Sequence, residues 1–350
     1  MVVSDDFFMR RALELAALGR GTTAPNPMVG CVIVHAGKII GEGWHQQYGG
    51  PHAEVNAIAS VRNKQLLPAS TLYVTLEPCS HYGKTPPCAD LLVENKIERV
   101  VICNTDPNPL VSGNGIKKLT KAGVQVQVGL LELEGWALNK AFFTYHSRQR
   151  PYIILKWAET ADGFIGRTDE AKLWISTKLS KKLVHKWRGE LQAIMVGTRT
   201  VLKDNPQLNT REWTGKDPVR LVLDPNLRLP ADLHIFDGRQ PTFVYNLTKQ
   251  ETKLPTEWVK INDPTTFLIE VVQDLYRRSI QSVLVEGGTV LLESFISSGL
   301  WDEALVFKGA KSLGLPGVPA PVLPNRYLQQ VQKIATDTLL IYKNFAQVTR

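Results

Sequence analysis

The chain is poor in cysteine, with four in 350 residues. It has no apolar run long enough to span a bilayer, so no membrane association is expected. It has no internal repeat and no low-complexity tract, and nothing in it matches G-x-G-x-x-G, so a Rossmann domain is not supported. The N-terminal segment MVVSDDFFMRRALELAALGRG lacks the basic start of a signal peptide. Asp5 and Asp6 stand there instead, and Arg10, Arg11 and Glu14 interrupt its apolar positions. It reads as a helix of the mature protein, and the expected location is the cytoplasm. The net charge is +8, yet there is no arginine-rich stripe or dense basic block. The excess therefore reads as a solvated lysine-rich surface, or as groups holding small phosphorylated ligands, before it reads as a nucleic-acid interface.

What is present is an ordinary globular composition, 43% hydrophobic and 21% charged, in a chain long enough for two domains. In the first half, residues 4–19 carry apolar positions at helical spacing. VGCVIVHAGKIIGEGW reads as two strands turning at Ala36-Gly37. HAEVNAIASV then reads as a helix, TLYVTLE as a strand, ADLLVENKI as a helix and RVVICN as a strand. GIKKLTKAGV follows as a helix and VQVQVG as a strand, and residues 132–147 read as one further helix. Pro151 opens a new strand, which places the boundary between a domain at 1–147 and one at 151–350. The second half alternates again, with strands at QAIMVG, VRLVLD, TFVYN and SVLVEGG. Helices are expected at STKLSKKLVHKWRGE, TFLIEVVQDLYRR and TVLLESFISSGL. Strands alternating with helices imply α/β sheets packed between helices.

Cys31 and Cys103 sit in strand-like segments and read as small core hydrophobes. Cys79 and Cys88 differ. They fall in TLEPCSHYGKTPPCADLL, downstream of His52 and Glu54 in PHAEVNAI. Zinc favours tetrahedral nitrogen and sulfur ligands, and a catalytic zinc keeps its fourth position for water. One histidine and two cysteines supply three ligands. A carboxylate that is not a ligand must then carry the proton to the leaving group, and Glu54 can do so if His52 starts a helix. Cys79 is expected at a strand end, and Cys88 at a helix start behind Pro86-Pro87. The pattern H-x-E followed by P-C is that of zinc nucleobase deaminases, although eight residues, not two, separate the cysteines. A closed structural site needs a fourth ligand, for which His81 and His45 are the candidates.

The run HAEV…TLEPCSHYGKTPPC, with PNPMVGCVIV before it and DPNP after it, closely resembles the bifunctional riboflavin-biosynthesis deaminase–reductase family. The resemblance implies two α/β domains: an N-terminal cytidine-deaminase-like three-layer α/β/α domain and a C-terminal dihydrofolate-reductase-like domain. It implies two reactions on a small pyrimidine ribotide. The first is hydrolytic deamination of 2,5-diamino-6-ribosylamino-4(3H)-pyrimidinone 5′-phosphate. The second is reduction of the ribosyl group to ribityl with NADPH. One zinc ion per chain is implied on His52, Cys79 and Cys88, with Glu54 as proton shuttle. Asn26, His45, His81 and Lys84 are expected around that pocket, the last two facing the phosphate.

The second half carries the resemblance in PYIILKWAETADGFIG, LWIS, VGTRTVLKDNPQLNTR and SVLVEGGTVLLESF. Ala158, Trp174, Thr200, Asp204 and the loop from Gly288 align with NADPH contacts. Arg188, Leu208, Arg211 and Glu286 align with substrate contacts, and Lys156 and Asp204 are candidates for assisting proton movement. The Gly287-Gly288 pair, between a strand and a helix, suits a phosphate at a helix N-terminus. Lys172 stands where the family usually has serine, so either the lysine faces the phosphate or the loop differs. The family also implies a homo-oligomer, a dimer or larger. The competing readings are a nucleic-acid-editing deaminase with an RNA-binding domain, a deaminase with a degenerate reductase domain, and a zinc-stabilised binding protein.

Overall fold

The computed structural model describes residues 4–80, 86–108, 111–169, 173–314 and 316–344. The chain divides into two compact units, Met1–Gln149 and Arg150–Arg350. The first contains α1 (Asp5–Ala17), β1 (Gly30–His35), β2 (Lys38–Trp44), α2 (Ala53–Ser60), β3 (Thr71–Leu76), α3 (Cys88–Glu94), β4 (Arg99–Asn104), α4 (Asn114–Lys121), β5 (Gln125–Val128), α5 (Glu132–Leu138) and α6 (Lys140–Arg148). Its sheet runs β2-β1-β3-β4-β5. β1 is antiparallel to β2 and β3, while β3, β4 and β5 are parallel.

Side chains alternate across a strand, and here the alternation builds two cores. Cys31, Ile33, Leu72, Val74, Val100 and Ile102 face Ala53, Ala57, Leu92 and Leu119 of α2, α3 and α4. Val32, Val34, Tyr73, Val101 and Cys103 face Phe8, Met9, Ala12 and Leu15 of α1. The result is a three-layer α/β/α unit, with Cys31 and Cys103 fully buried. Ala36 and Gly37 both have positive φ, 46° and 75°, as a two-residue hairpin turn of matching twist requires.

The single helix expected over 132–147 is in fact two, broken at Asn139. Its φ/ψ of −107°/27° is not helical. The Asn139 side chain is bound instead to the main chain of Met28: Oδ1 accepts the Met28 N–H and Nδ2 donates to the Met28 carbonyl, each at 2.8 Å.

The second unit contains β6 (Tyr152–Glu159), β7 (Phe164–Arg167), α7 (Lys178–Glu190), β8 (Ala193–Gly197), α8 (Thr198–Asp204), β9 (Val219–Leu223), β10 (Thr242–Asn246), β11 (Glu251–Lys253), β12 (Thr256–Lys260), α9 (Phe267–Arg277), β13 (Ser282–Val285), α10 (Thr289–Ser298), β14 (Glu303–Lys308), β15 (Gly317–Pro319), β16 (Leu328–Ile334) and β17 (Asp337–Lys343). Its main sheet has ten strands in the order β11-β12-β10-β9-β8-β13-β6-β14-β17-β16. The centre, from β12 through β14, is parallel, and β11, β16 and β17 add antiparallel edges. The central strands are buried on both faces and read as continuous apolar runs. AIMVG and SVLV are examples. No helix among the described residues is long and apolar enough to cross a membrane.

Candidate zinc centre and reductase pocket

His52 is the N-cap of α2, with extended φ/ψ of −71°/164°. The turn into the helix places Glu54, in its first turn, inward, and Glu54 is 3% exposed. Cys88 begins α3 behind Pro87. Cys79 lies beyond β3, not at its end, because β3 stops at Leu76. The Glu77 N–H still bonds the Asn104 carbonyl at 2.9 Å, but Pro78 has no N–H to continue the ladder. Cys79 is tied to α3 instead. Its Sγ accepts the Cys88 N–H at 3.3 Å, and its carbonyl accepts the Ala89 N–H at 3.0 Å.

The donor atoms of His52, Cys79 and Cys88 all lie within 4.8 Å of one another. His52 Nδ1 is 3.3 Å from Cys88 Sγ and 3.6 Å from Cys79 Sγ. Tetrahedral zinc, with its usual bond lengths, sets a nitrogen and a sulfur ligand about 3.6 Å apart. The trio fits the ion in both spacing and donor chemistry. The Cys79 thiol is drawn down, first by its hydrogen bond to Cys88 and then by His52. The Cys88 thiol is pushed up beside the Cys79 thiolate, and the hydrogen bond to Cys79 raises His52. Burial lifts the Glu54 carboxyl to about 7, against the pull of His52.

Two of the four expected pocket residues are described. His45 Nδ1 lies 2.9 Å from the Pro51 carbonyl, which can only accept, so Nδ1 carries the proton. His45 Nε2 then accepts from Asn26 Nδ2 at 3.1 Å. This orients the Asn26 amide and leaves its oxygen outside that bond. The His45 ring meets the His52 ring edge-on, with centroids 5.7 Å apart. His81 and Lys84 lie outside the described residues.

In the second unit, three charged groups from separate elements converge. Arg188 of α7 donates Nε and Nη2 to the two carboxylate oxygens of Glu286 at 2.7 and 2.9 Å. Lys156 Nζ, from β6, stands 3.8 Å from Glu286 Oε2. Burial would raise the Glu286 carboxyl, but Arg188 and Lys156 overcome it and hold the group down at about 2. Burial lowers Lys156, and Arg188 adds to that.

Beside Glu286, Gly287 and Gly288 take φ of 152° and 46°, and Gly288 caps α10. A Cβ on either would come within 3.2 Å or 3.1 Å of Thr200 Oγ1. The fold thus sets Thr200 directly against the glycine turn. Leu208 is buried with φ 55°. The Arg211 guanidinium bonds Asn209 Oδ1 at 2.9 Å. Ala158 is half-buried on β6, and Asp204 is exposed at the end of α8. Trp174 is 73% exposed, not core, with the Lys181 ammonium 6.0 Å from its ring. Lys172 lies outside the described residues. A cavity of about 530 Å³ over β10 and β12 is lined by none of the residues singled out from the sequence.

Sequence reasoning assigned nothing to His185, which is 1% exposed with Nδ1 unpartnered among the described residues. It also passed over Glu77, a buried carboxylate two residues from Cys79. The E-P-C run carried a signal for Glu77. For His185 the only signal was its place one turn before Arg188.

A His/Cys/Cys trio with a buried glutamate at a helix start, on a β2-β1-β3-β4-β5 sheet, defines the class as a zinc-dependent deaminase, here continued by a reductase unit. Residues 2–104 match the cytidine and deoxycytidylate deaminase zinc-binding region, and residues 151–340 match the RibD C-terminal domain. The riboflavin biosynthesis protein RibD of Aquifex aeolicus is 40% identical, over 97% of this chain and 99% of its own. That of Escherichia coli K12 is 37% identical, over the same shares. A crystal structure of a diaminohydroxyphosphoribosylaminopyrimidine deaminase/5-amino-6-(5-phosphoribosylamino)uracil reductase from Thermotoga maritima is 39% identical. It superposes with a TM-score of 0.87 over 97% of this chain and 98% of that one. The chain belongs to the RibD family of bifunctional riboflavin-biosynthesis enzymes, with zinc and NADPH as its cofactors.

Proposed function

We propose that His52, Cys79 and Cys88 hold the zinc and that Glu54 moves the protons of a hydrolytic deamination. Zinc, when bound, acidifies a coordinated water. Glu54 would take the proton of the attacking water and deliver it to the departing amine. Water adds to the ring carbon, its C–N bond breaks and ammonia leaves. A carboxyl lifted by burial to about 7 is suited to both halves of that transfer at neutral pH. Asn26, oriented by His45, presents its amide oxygen to a donor on the base or ribose. His81 and Lys84 bind the phosphate.

In the second unit, the Gly287-Gly288 turn with α10, together with Ala158, Trp174, Thr200 and Asp204, holds NADPH, which supplies hydride when bound. Arg188, Leu208, Arg211, Glu286 and Lys172 hold the deaminated ribotide. Lys156 and Asp204 assist proton movement at the opening sugar. The working form is a cytoplasmic homo-oligomer acting on a small ribotide, with no nucleic acid and no membrane.

The observation that carries the deaminase reading is a carboxylate buried against the three donors without being one of them. The test is Glu54→Gln on the full chain. Zinc stays at about one per chain, ammonia release is lost, and NADPH oxidation persists on intermediate that is already deaminated. Retained ammonia release overturns the assignment. Wild-type ammonia release without any fall in NADPH absorbance favours the degenerate-reductase reading instead.

A further inference from the structure

Glu77 is 4% exposed, and its carboxylate accepts four backbone N–H groups. Oε1 takes those of Gly115 at 2.9 Å and Ile116 at 3.3 Å. Oε2 takes those of Gly113 at 3.0 Å and Asp106 at 3.3 Å. Gly113 is the N-cap of α4, and Gly115 and Ile116 lie in its first turn. These are helix-start donors with no partner inside the helix. One oxygen thus binds both ends of the 106–113 segment, and the other binds the start of α4. A single side chain is a clasp on this whole corner of the unit.

The clasp sits on the main chain that leads to the zinc centre. Two residues on is Cys79, whose Sγ must hold its place near His52 Nδ1. The intervening Pro78 is pressed against α4, since a Cβ on Gly115 would fall 2.0 Å from the Pro78 carbonyl oxygen and 3.2 Å from Glu77 Oε1. With β3 ended at Leu76, the ladder does not extend to Pro78 or Cys79. Their position is set at one end by Cys88 and at the other by Glu77.

We infer that Glu77 is a positioning residue of the deaminase centre, fixing Pro78 and Cys79 against α4 so that Cys79 keeps its place in the donor trio. It touches neither substrate nor metal. The inference rests on the zinc reading above. Gln at position 77 has nearly the same size but turns one double acceptor into an NH₂ aimed at two N–H donors. Both the clasp and the approach of Cys79 then loosen.

The test uses the full chain, whose reductase activity is an internal control for integrity. In Glu77→Gln, zinc affinity, read by competition with a chromophoric chelator, falls about 10- to 100-fold, the range for residues supporting metal ligands. At saturating zinc, deaminase kcat falls by a similar factor, with KM changed less than about threefold and reductase turnover unchanged. Glu77→Asp, which keeps both oxygens, recovers part of the loss. Gly115→Ala, which pushes on Pro78 from the other side with Glu77 intact, lowers kcat in the same way. Wild-type zinc affinity and kcat in Glu77→Gln overturn the inference, whatever happens to its melting temperature. If Glu77→Gln does not fold, wild-type values in folded Gly115→Ala overturn it. Cys88→Ser separates the two readings. If it keeps its zinc, the zinc reading fails. If it loses zinc while Glu77→Gln does not, only the clasp fails.

Discussion

Replacing Glu286 by Gln removes the anion between two largely buried cations. The Arg188 and Glu286 side chains are 12% and 9% exposed, and Lys156 is 16% exposed. Removing one partner of such a pair costs about 3–5 kcal/mol, because a desolvated charge is left uncompensated. The pH linkage gives a similar figure independently. The Glu286 carboxyl is held at about 2 against an ordinary value in the low fours, worth about 3 kcal/mol. Its folded-state pKa is depressed, so this stability is fully present above the unfolded value and is lost as pH falls through 2. For a domain of this size each kcal/mol moves the melting temperature by about 2–4 °C, so the second unit should melt about 6–20 °C lower in Glu286→Gln.

Tryptophan fluorescence reports on that unit, since six of the eight tryptophans lie in it (Trp157, Trp174, Trp187, Trp213, Trp258 and Trp301). Its stability should also fall less steeply than the wild type's as pH drops below about 5. NADPH oxidation should fall while ammonia release stays at the wild-type rate. Adding Lys156→Met removes one of the two orphaned cations and should restore part of the stability, with a coupling of about 0.5–3 kcal/mol. A melting temperature within about 1 °C of wild type would refute the reasoning, because it would mean that Arg188 and Lys156 are solvated without Glu286.

Two other changes probe the same pocket. Burial, with Arg188 and Arg211 nearby, lowers His185 to about 4. The folded state therefore refuses a proton that the unfolded chain takes up below about 6.5, and the second unit loses up to about 3 kcal/mol between pH 7 and pH 4. Denaturant titrations of His185→Asn across that range should show a flatter profile, and a slope equal to wild type would mean that the imidazole is not desolvated. Gly287→Ala forces a side chain into φ 152° and against Thr200. Strain of about 1–3 kcal/mol at the glycine turn should raise the KM for NADPH while leaving deamination untouched. Steady-state kinetics on each half-reaction checks this, and an unchanged KM would place NADPH elsewhere.

The parts of this molecule that could be read from sequence are those whose physics is local. The hairpin at Ala36-Gly37 follows from a turn needing two positive φ values, and the strands follow from apolar alternation. His52 at a helix start with Glu54 just inside it follows from reading HAEVNAIASV as a helix, and the zinc chemistry narrows the residue types further. What could not be read depends on a partner far along the chain. Periodicity runs unbroken through 132–147, yet the helix breaks because Asn139 spends its amide on Met28, 111 residues away. Arg188 and Glu286 each aligned with a substrate contact, but that their side chains bind each other across 98 residues is a property of the ten-stranded sheet. Trp174 offers the same lesson in reverse. The sequence aligns it with an NADPH contact, and only the fold shows that it stands open to solvent. Glu77 stands in the E-P-C run with no role legible there, because its four partners lie between Asp106 and Ile116 and become neighbours only once β3 and β4 pair. A buried carboxylate that gathers four backbone donors beside a metal-binding cysteine is therefore visible in structure alone.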